Sequence, residues 1–155
     1  DKDGNLKWKA ETPNLVVNVG LQYMAGSALT STTQITTWYL GLYGAGASNT
    51  PAASDTMASH IGWTENTTYS NANRPTATLA AATNANPSVV TNSASPATFN
   101  INGTTTIGGA FLTSSNTKGG TTGTLFSAAD FQAPGDRSVV NGDTLNVTYT
   151  FSLAG

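Results

Sequence analysis

The stretch from Leu145 to Leu153 alternates without a break. Leu145, Val147, Tyr149, Phe151 and Leu153 are apolar, and Asn146, Thr148, Thr150 and Ser152 between them are polar. Successive side chains of a strand point to opposite faces. A period of two therefore predicts one long antiparallel strand, with one face on a core and the other in water. A strand of that length is expected inside a sheet, because a bare edge invites association. Just upstream, Asn141-Gly142 predicts a hairpin turn joining "RSVV" to this strand.

The preceding chain reads as further short strands punctuated by turns. "TTWYLGLYG" (36–44) is a nearly continuous apolar run, as expected of a strand buried on both faces. "GAGASNTPAA" after it reads as loop. "GWTENTTY", "TATLAAAT", "SVVTN", "ATFNIN", "TTTIGGAFLTSS" and "GTLFSAADF" are further strand candidates, and "NANP" (84–87) is a turn. One segment has helical character. In "NLVVNVGLQYMAGSAL", Leu15, Val19 and Tyr23 share a stripe, Asn14 is the candidate cap, and Gly26-Ser27 the expected stop. Ser54 or Asp55 is a candidate cap for a short turn through "TMASH". Many short strands with frequent turns predict a mainly β chain. The expected architecture is an antiparallel β-sandwich or jelly-roll-like single domain over 13–155, with one short N-terminal helix. Residues 1–12 are set apart as an N-terminal arm or small hairpin.

Charge narrows the function classes. The 155 residues carry a formal charge of −2, and only 9% are charged, against roughly 25% in ordinary soluble domains. No charged residue lies between Thr12 and Ser54, nor between Pro75 and Thr117. The polar surface must be built from Thr, Asn and Ser, and Thr suits a pleated sheet face. Nucleic-acid binding by phosphate neutralisation needs clustered Lys and Arg, and the 6 basic residues are scattered. No apolar run reaches the roughly 18–20 residues of a membrane helix, and no segment reads as a signal peptide. Cysteine is absent, which removes disulfides and thiolate metal sites.

The motifs that hint at chemistry have plainer readings. "SSNTKGGTTGTLFS" (114–127) resembles a phosphate cradle in composition. In such a loop, however, lysine follows the glycines and a helix comes next. Here Lys118 precedes Gly119 and Gly120, and a strand-like sequence follows. The segment is expected to be a connection between two strands, with Lys118 a solvated loop charge and the glycines supplying unusual backbone angles. His60 is the one histidine. A metal site with Asp55 and Glu65 lacks a second histidine at helical spacing, so a locally hydrogen-bonded or surface role is expected. No Gly-x-Ser-x-Gly elbow supports a serine triad. Asp136 and Asp143 sit in turn contexts, where aspartate bonds its own backbone. No cofactor and no catalytic residue are expected.

The tryptophans raise a different possibility. Trp38 is expected in the core, while Trp63 or Tyr69, if exposed, would suit a carbohydrate platform. Trp8 sits among charges in "LKWK". It either folds back on its own domain or faces a partner. Leu6, Lys7, Trp8 and Lys9 are therefore the candidate partner-contact residues.

Five segments taken in order, "NLVVNVGLQYM", "TTWYLGLYG", "AASDTMASHIGWTENTTYSNANRP", "IGGAFLTSSNTKGGTTGTLFSAADF" and "VVNGDTLNVTYTFSLAG", resemble small structural proteins of tailed bacteriophages. The resemblance implies a non-enzymatic virion component, most simply a capsid cement or decoration protein. Such a protein would sit on the capsid surface and bind the major capsid protein and copies of itself as a homo-oligomer, with no nucleic-acid or membrane partner. A tail, fibre or baseplate domain is the alternative it leaves open, and a carbohydrate-binding or adhesin module is the next. A neutral β surface free of cysteine fits a protein packed at high local density without self-repulsion.

Overall fold

The computed structural model describes residues 1–44, 50–131 and 135–155. These residues form two β layers and one helix, with every strand pairing antiparallel. The larger layer is a seven-stranded sheet built on β2 (Trp38–Gly44), β7 (Thr105–Thr113) and β8 (Leu125–Asp130). Short strands extend it. β1 (Leu15–Val16) pairs with β8, while β3 (Glu65–Asn66) and β4 (Thr76–Ala77) pair with β2. β9 (Arg137–Val139) pairs with β7. The second layer is a ribbon in two pieces. In it β6 (Ala97–Asn100) pairs with β10 (Thr144–Val147), and β5 (Ser88–Thr91) pairs with β11 (Thr150–Leu153).

The sandwich core lies between these layers. Leu40, Leu42, Ala110 and Leu112 of the large sheet meet Phe99, Ile101, Leu145 and Tyr149 of the ribbon. The opposite face of the large sheet is covered as well, where Tyr43, Phe111, Leu125 and Ala128 pack with Val17, Met57 and Trp63. Burial on both faces explains why β2 reads as an apolar run rather than an alternation. Two glycines make room inside it. A Cβ on Gly41 would run into the Phe111 ring, and one on Gly109 would run into both the Tyr43 ring and the Ala129 carbonyl oxygen.

The helix α1 spans Asn18–Leu29, later than its sequence pattern predicts. Leu15 and Val16 enter the sheet instead, and Val17 is fully buried. Asn14 is not the cap: Val17 occupies that position and makes no side-chain capping bond. Gly26-Ser27 does not end the helix either. Thr30 does, with its N–H and its hydroxyl both donating to the Gly26 carbonyl. Gly20 has a packing role, since a Cβ there would collide with the Phe126 carbonyl oxygen. The helix can rest on β8 only because that position is bare. No helical turn forms through "TMASH"; Asp55 caps a tighter loop, accepting from the Ala52 N–H and the Trp63 indole N–H, both at 2.9 Å.

The C-terminal alternation holds, but the single long strand does not. Residues 92–96 stand opposite residues 148 and 149, so the ribbon is interrupted on both sides. Asn92 fills the break. Its N–H donates to the Tyr149 carbonyl at 3.2 Å, its Oδ1 accepts from the Tyr149 N–H at 2.7 Å, and its Nδ2 donates to the Val147 carbonyl at 3.2 Å. The Asn141-Gly142 turn forms with Gly142 at φ 90°. It joins strands of different layers, β9 in the large sheet and β10 in the ribbon, and so is not a hairpin. The loop expected at 44–53 lies largely outside the described residues.

Candidate interaction site: the N-terminal arm and the groove beneath it

The arm is extended after a tight turn at its start, where the Gly4 N–H donates to the Asp1 carbonyl. It folds back across the open side of the sandwich. Trp8 is half-buried, 6.0 Å from the Phe131 ring, with the Arg137 guanidinium 5.0 Å from its own ring centroid. Lys7 Nζ donates to Asp143 Oδ2 at 2.7 Å. The Thr12 hydroxyl donates to the Asp130 carbonyl at 2.5 Å. Of the four residues singled out from sequence, Trp8 and Lys7 thus engage their own domain. Leu6 is 82% exposed, and Lys9 pairs at the surface with Glu11 at 3.3 Å.

The arm roofs a groove of about 750 Å³. Its floor is core, with Leu40, Ala110 and Leu112 from the large sheet and Leu145 and Tyr149 from the ribbon. Ser127 and Tyr149 join the layers there through a 3.0 Å hydroxyl pair. Burial pushes the Tyr149 phenol up to about 12, its hydrogen bonds working the other way. A second hollow, of about 510 Å³, separates the arm from the β9–β10 turn.

Two charged side chains at that end are almost fully buried. Arg137 is 4% exposed and donates through Nη1 to the Gly135 carbonyl, while its Nε and Nη2 have no hydrogen-bond partner among the described residues. Asp143 is likewise 4% exposed. Its Oδ2 accepts from Lys7 and from the Val140 N–H, and its Oδ1 has no partner. The Lys7 contact, then the Val140 N–H, hold its carboxyl below the usual range against the opposing effect of burial. Burial pushes the Asp130 carboxyl the other way, with the Tyr43 hydroxyl that donates to it as a partial counterweight. The turn role expected of Asp143 is present, and the contact to the arm is added to it.

The 114–124 segment connects β7 to β8, which pair along their length. Gly119 and Gly123 take φ of 74° and 98°, the angles for which glycine suits such a loop. Lys118 is not a solvated charge. Its ammonium donates to the Tyr69 and Asn71 carbonyls at 2.9 and 2.8 Å and lies 4.6 Å from the Tyr69 ring centroid. Below it, Arg74 grips Glu65 side-on at 2.9 and 2.7 Å and donates to the Ser115 and Gly120 carbonyls. The Gly119 N–H closes onto Glu65 at 2.8 Å. This loop is fastened from within and offers no anion cradle.

The candidate metal residues do not converge. Asp55 is engaged by Trp63 and Glu65 by Arg74. His60 stacks on Trp63 at 3.8 Å, with Nδ1 2.8 Å from the Trp63 carbonyl oxygen. Among the described residues, no three His, Asp or Glu side chains are grouped to hold a metal, and no helix is long and apolar enough to cross a membrane. Trp63 is 2% exposed and Tyr69 is fully buried, so neither presents a sugar platform.

The buried ion pairs are not singled out by the sequence reading, yet a signal exists. Arg74 is the one charge between Glu65 and Lys118. In so uncharged a stretch, an isolated arginine has either a solvent role or a specific partner. Comparison with known protein families, with curated proteins and with solved structures yields no match to this chain.

Proposed function

We propose that this protein is a non-enzymatic structural component of a tailed-phage virion, a cement or decoration protein on the outside of the capsid. Its partners would be the major capsid protein and its own copies. The observation that carries the reading is one combination: a cysteine-free antiparallel sandwich with a nearly uncharged Thr, Asn and Ser surface, and a charged, extended arm laid over an open groove. A rigid neutral body with one polar, displaceable arm suits close packing of many copies with a specific contact at the arm. The ordered resemblance of five segments to phage structural proteins points the same way.

The test is binding of the purified chain to capsids that lack it. Saturable density on the shell lattice is expected, with occupancy lowered by deletion of residues 1–12. Density confined to the tail vertex would move the protein to the tail, and no binding to the particle would overturn the virion reading. Unchanged occupancy after the deletion would remove the arm from the contact.

A further inference from the structure

The arm has the sequence of a strand without the ladder of one. Leu6, Trp8 and Ala10 alternate with Lys7, Lys9 and Glu11. Its burial alternates too: Trp8, Ala10, Thr12 and Asn14 are half-buried, and the residues between them are exposed. Yet the main-chain hydrogen bonds described within residues 1–12 are confined to the first turn, from the Gly4 N–H to Asp1 and from the terminal amine to Asn5.

Beside it runs a strand edge in the complementary state. The outer edges of the ribbon's other two strands are covered. β6 is flanked by residues 68–71, through Ser70 N–H to the Asn100 carbonyl and the Tyr69–Ile101 bridge. β5 is flanked by residues 80–83, through Ala80 N–H to Thr91 and Thr83 N–H to Val89. Among the described residues, β10 and β11 have ladder partners on one side only, and residues 145–150 form one wall of the groove. An open edge beside a groove floored by core side chains is the arrangement that strand addition completes, with main-chain bonds giving affinity and alternate side chains filling pockets.

We propose that the β10–β11 edge receives the arm of a second copy of this chain, residues 6–12 pairing along it with the Leu6, Trp8 and Ala10 row turned into the groove. The charges identify the occupant. The receiving end holds a buried Asp143 with one oxygen unserved and a buried Arg137 with its Nε–Nη2 edge unserved. The arm carries Lys7, Lys9 and Glu11 at two-residue spacing, cations for the aspartate and a carboxylate for the side-on fork that arginine offers. Of these three charged side chains, only Lys7 meets the domain in its own chain, at Asp143. Lys9 and Glu11 pair with each other at the surface, and Leu6 stays 82% exposed. Every copy has one arm and one edge, so mutual exchange closes both. This surface goes beyond the capsid reading and is independent of which particle the protein coats.

The experiment uses the absence of native cysteine. Asn5→Cys and Asn146→Cys are introduced together, both at exposed positions that border the smaller hollow and, in the proposed pairing, on the face turned away from the groove. Copies labelled with heavy and with ordinary nitrogen are mixed unfolded, refolded together and oxidised. The disulfide-linked peptide pair that joins position 5 to position 146 is then weighed. Exchange predicts that about half of the pairs join a heavy to a light chain, the statistical share for two-copy mixing. Pairs of matched label alone, or no such pair, would overturn the proposal. Adding Ala10→Pro removes a main-chain donor while leaving every charged anchor in place. It is expected to cut the mixed pairs severalfold, and an undiminished yield would overturn the strand-addition geometry. Because no capsid is present, this result stands apart from the outcome of the shell-binding test.

Discussion

The large sheet and the mouth of the sandwich are made from the same residue vocabulary and are held in opposite ways. In the sheet, β2, β7 and β8 are covered on both faces, and the loop between β7 and β8 is tied by a buried Arg74–Glu65 pair. At the mouth, a strand-like arm crosses an open edge on one ion pair, one hydroxyl bond and a tryptophan. The two regions differ in the number of directions from which each segment is satisfied, more than in apolar content.

The sharpest way to break that contrast is Arg74→Met. It leaves Glu65, whose side chain is 8% exposed, without its partner. A loss of about 3–5 kcal/mol in urea unfolding is expected, because an uncompensated charge stays buried. A loss below about 1 kcal/mol would place the pair among ordinary surface bridges. Next comes Gly109→Ala, which pushes a methyl against the Ala129 carbonyl and the Tyr43 ring. Overpacking of this kind costs about 1–3 kcal/mol, read from the same denaturation midpoint. Asn92→Ala tests the joint of the ribbon. Removing its side-chain bonds to Val147 and Tyr149 should cost about 1–3 kcal/mol and speed hydrogen exchange at the Tyr149 amide. Wild-type protection there would show that the joint does not depend on Asn92.

At the mouth the effects should be smaller. Trp8→Ala loses the contact with Arg137, worth about 0.5–1 kcal/mol at a half-exposed site. It should raise binding of an apolar dye more than it lowers the melting temperature. The last prediction concerns pH. The Asp143 carboxyl is depressed in the folded chain, so its contribution is fully present above the unfolded value of about 3.9 and is lost as pH falls through the folded one. The stability gap between wild type and Asp143→Asn should therefore be flat near neutrality and shrink below about pH 4. A gap that widens in acid would contradict the assignment.

How much of the fold is legible in the sequence follows the range of the interactions. The apolar run of β2, the turn at Asn141-Gly142 and the alternation of residues 145–153 are readable, because each rests on neighbours in the chain. The helix starts later than its pattern suggests because Leu15 and Val16 gain more from pairing with β8 than from a helical stripe. The C-terminal strand is shorter than its alternation because the interruption is imposed by Asn92, far away in sequence. Lys118 reads as solvated for the same reason, since its acceptors, the Tyr69 and Asn71 carbonyls, become neighbours only on folding. Of the candidate site, Trp8 and Lys7 are readable as unusual, while their engagement with Arg137 and Asp143 is not.

The sequence by itself therefore determined a mainly β sandwich, the absence of thiol and disulfide chemistry, an almost uncharged surface and a distinct arm. Composition and period-two patterning are local properties that survive any choice of topology. Tertiary structure alone decided which layer each strand joins, which charges are buried and where a strand edge is left open. Those depend on contacts between residues as far apart as Lys7 and Asp143, and no local preference encodes them.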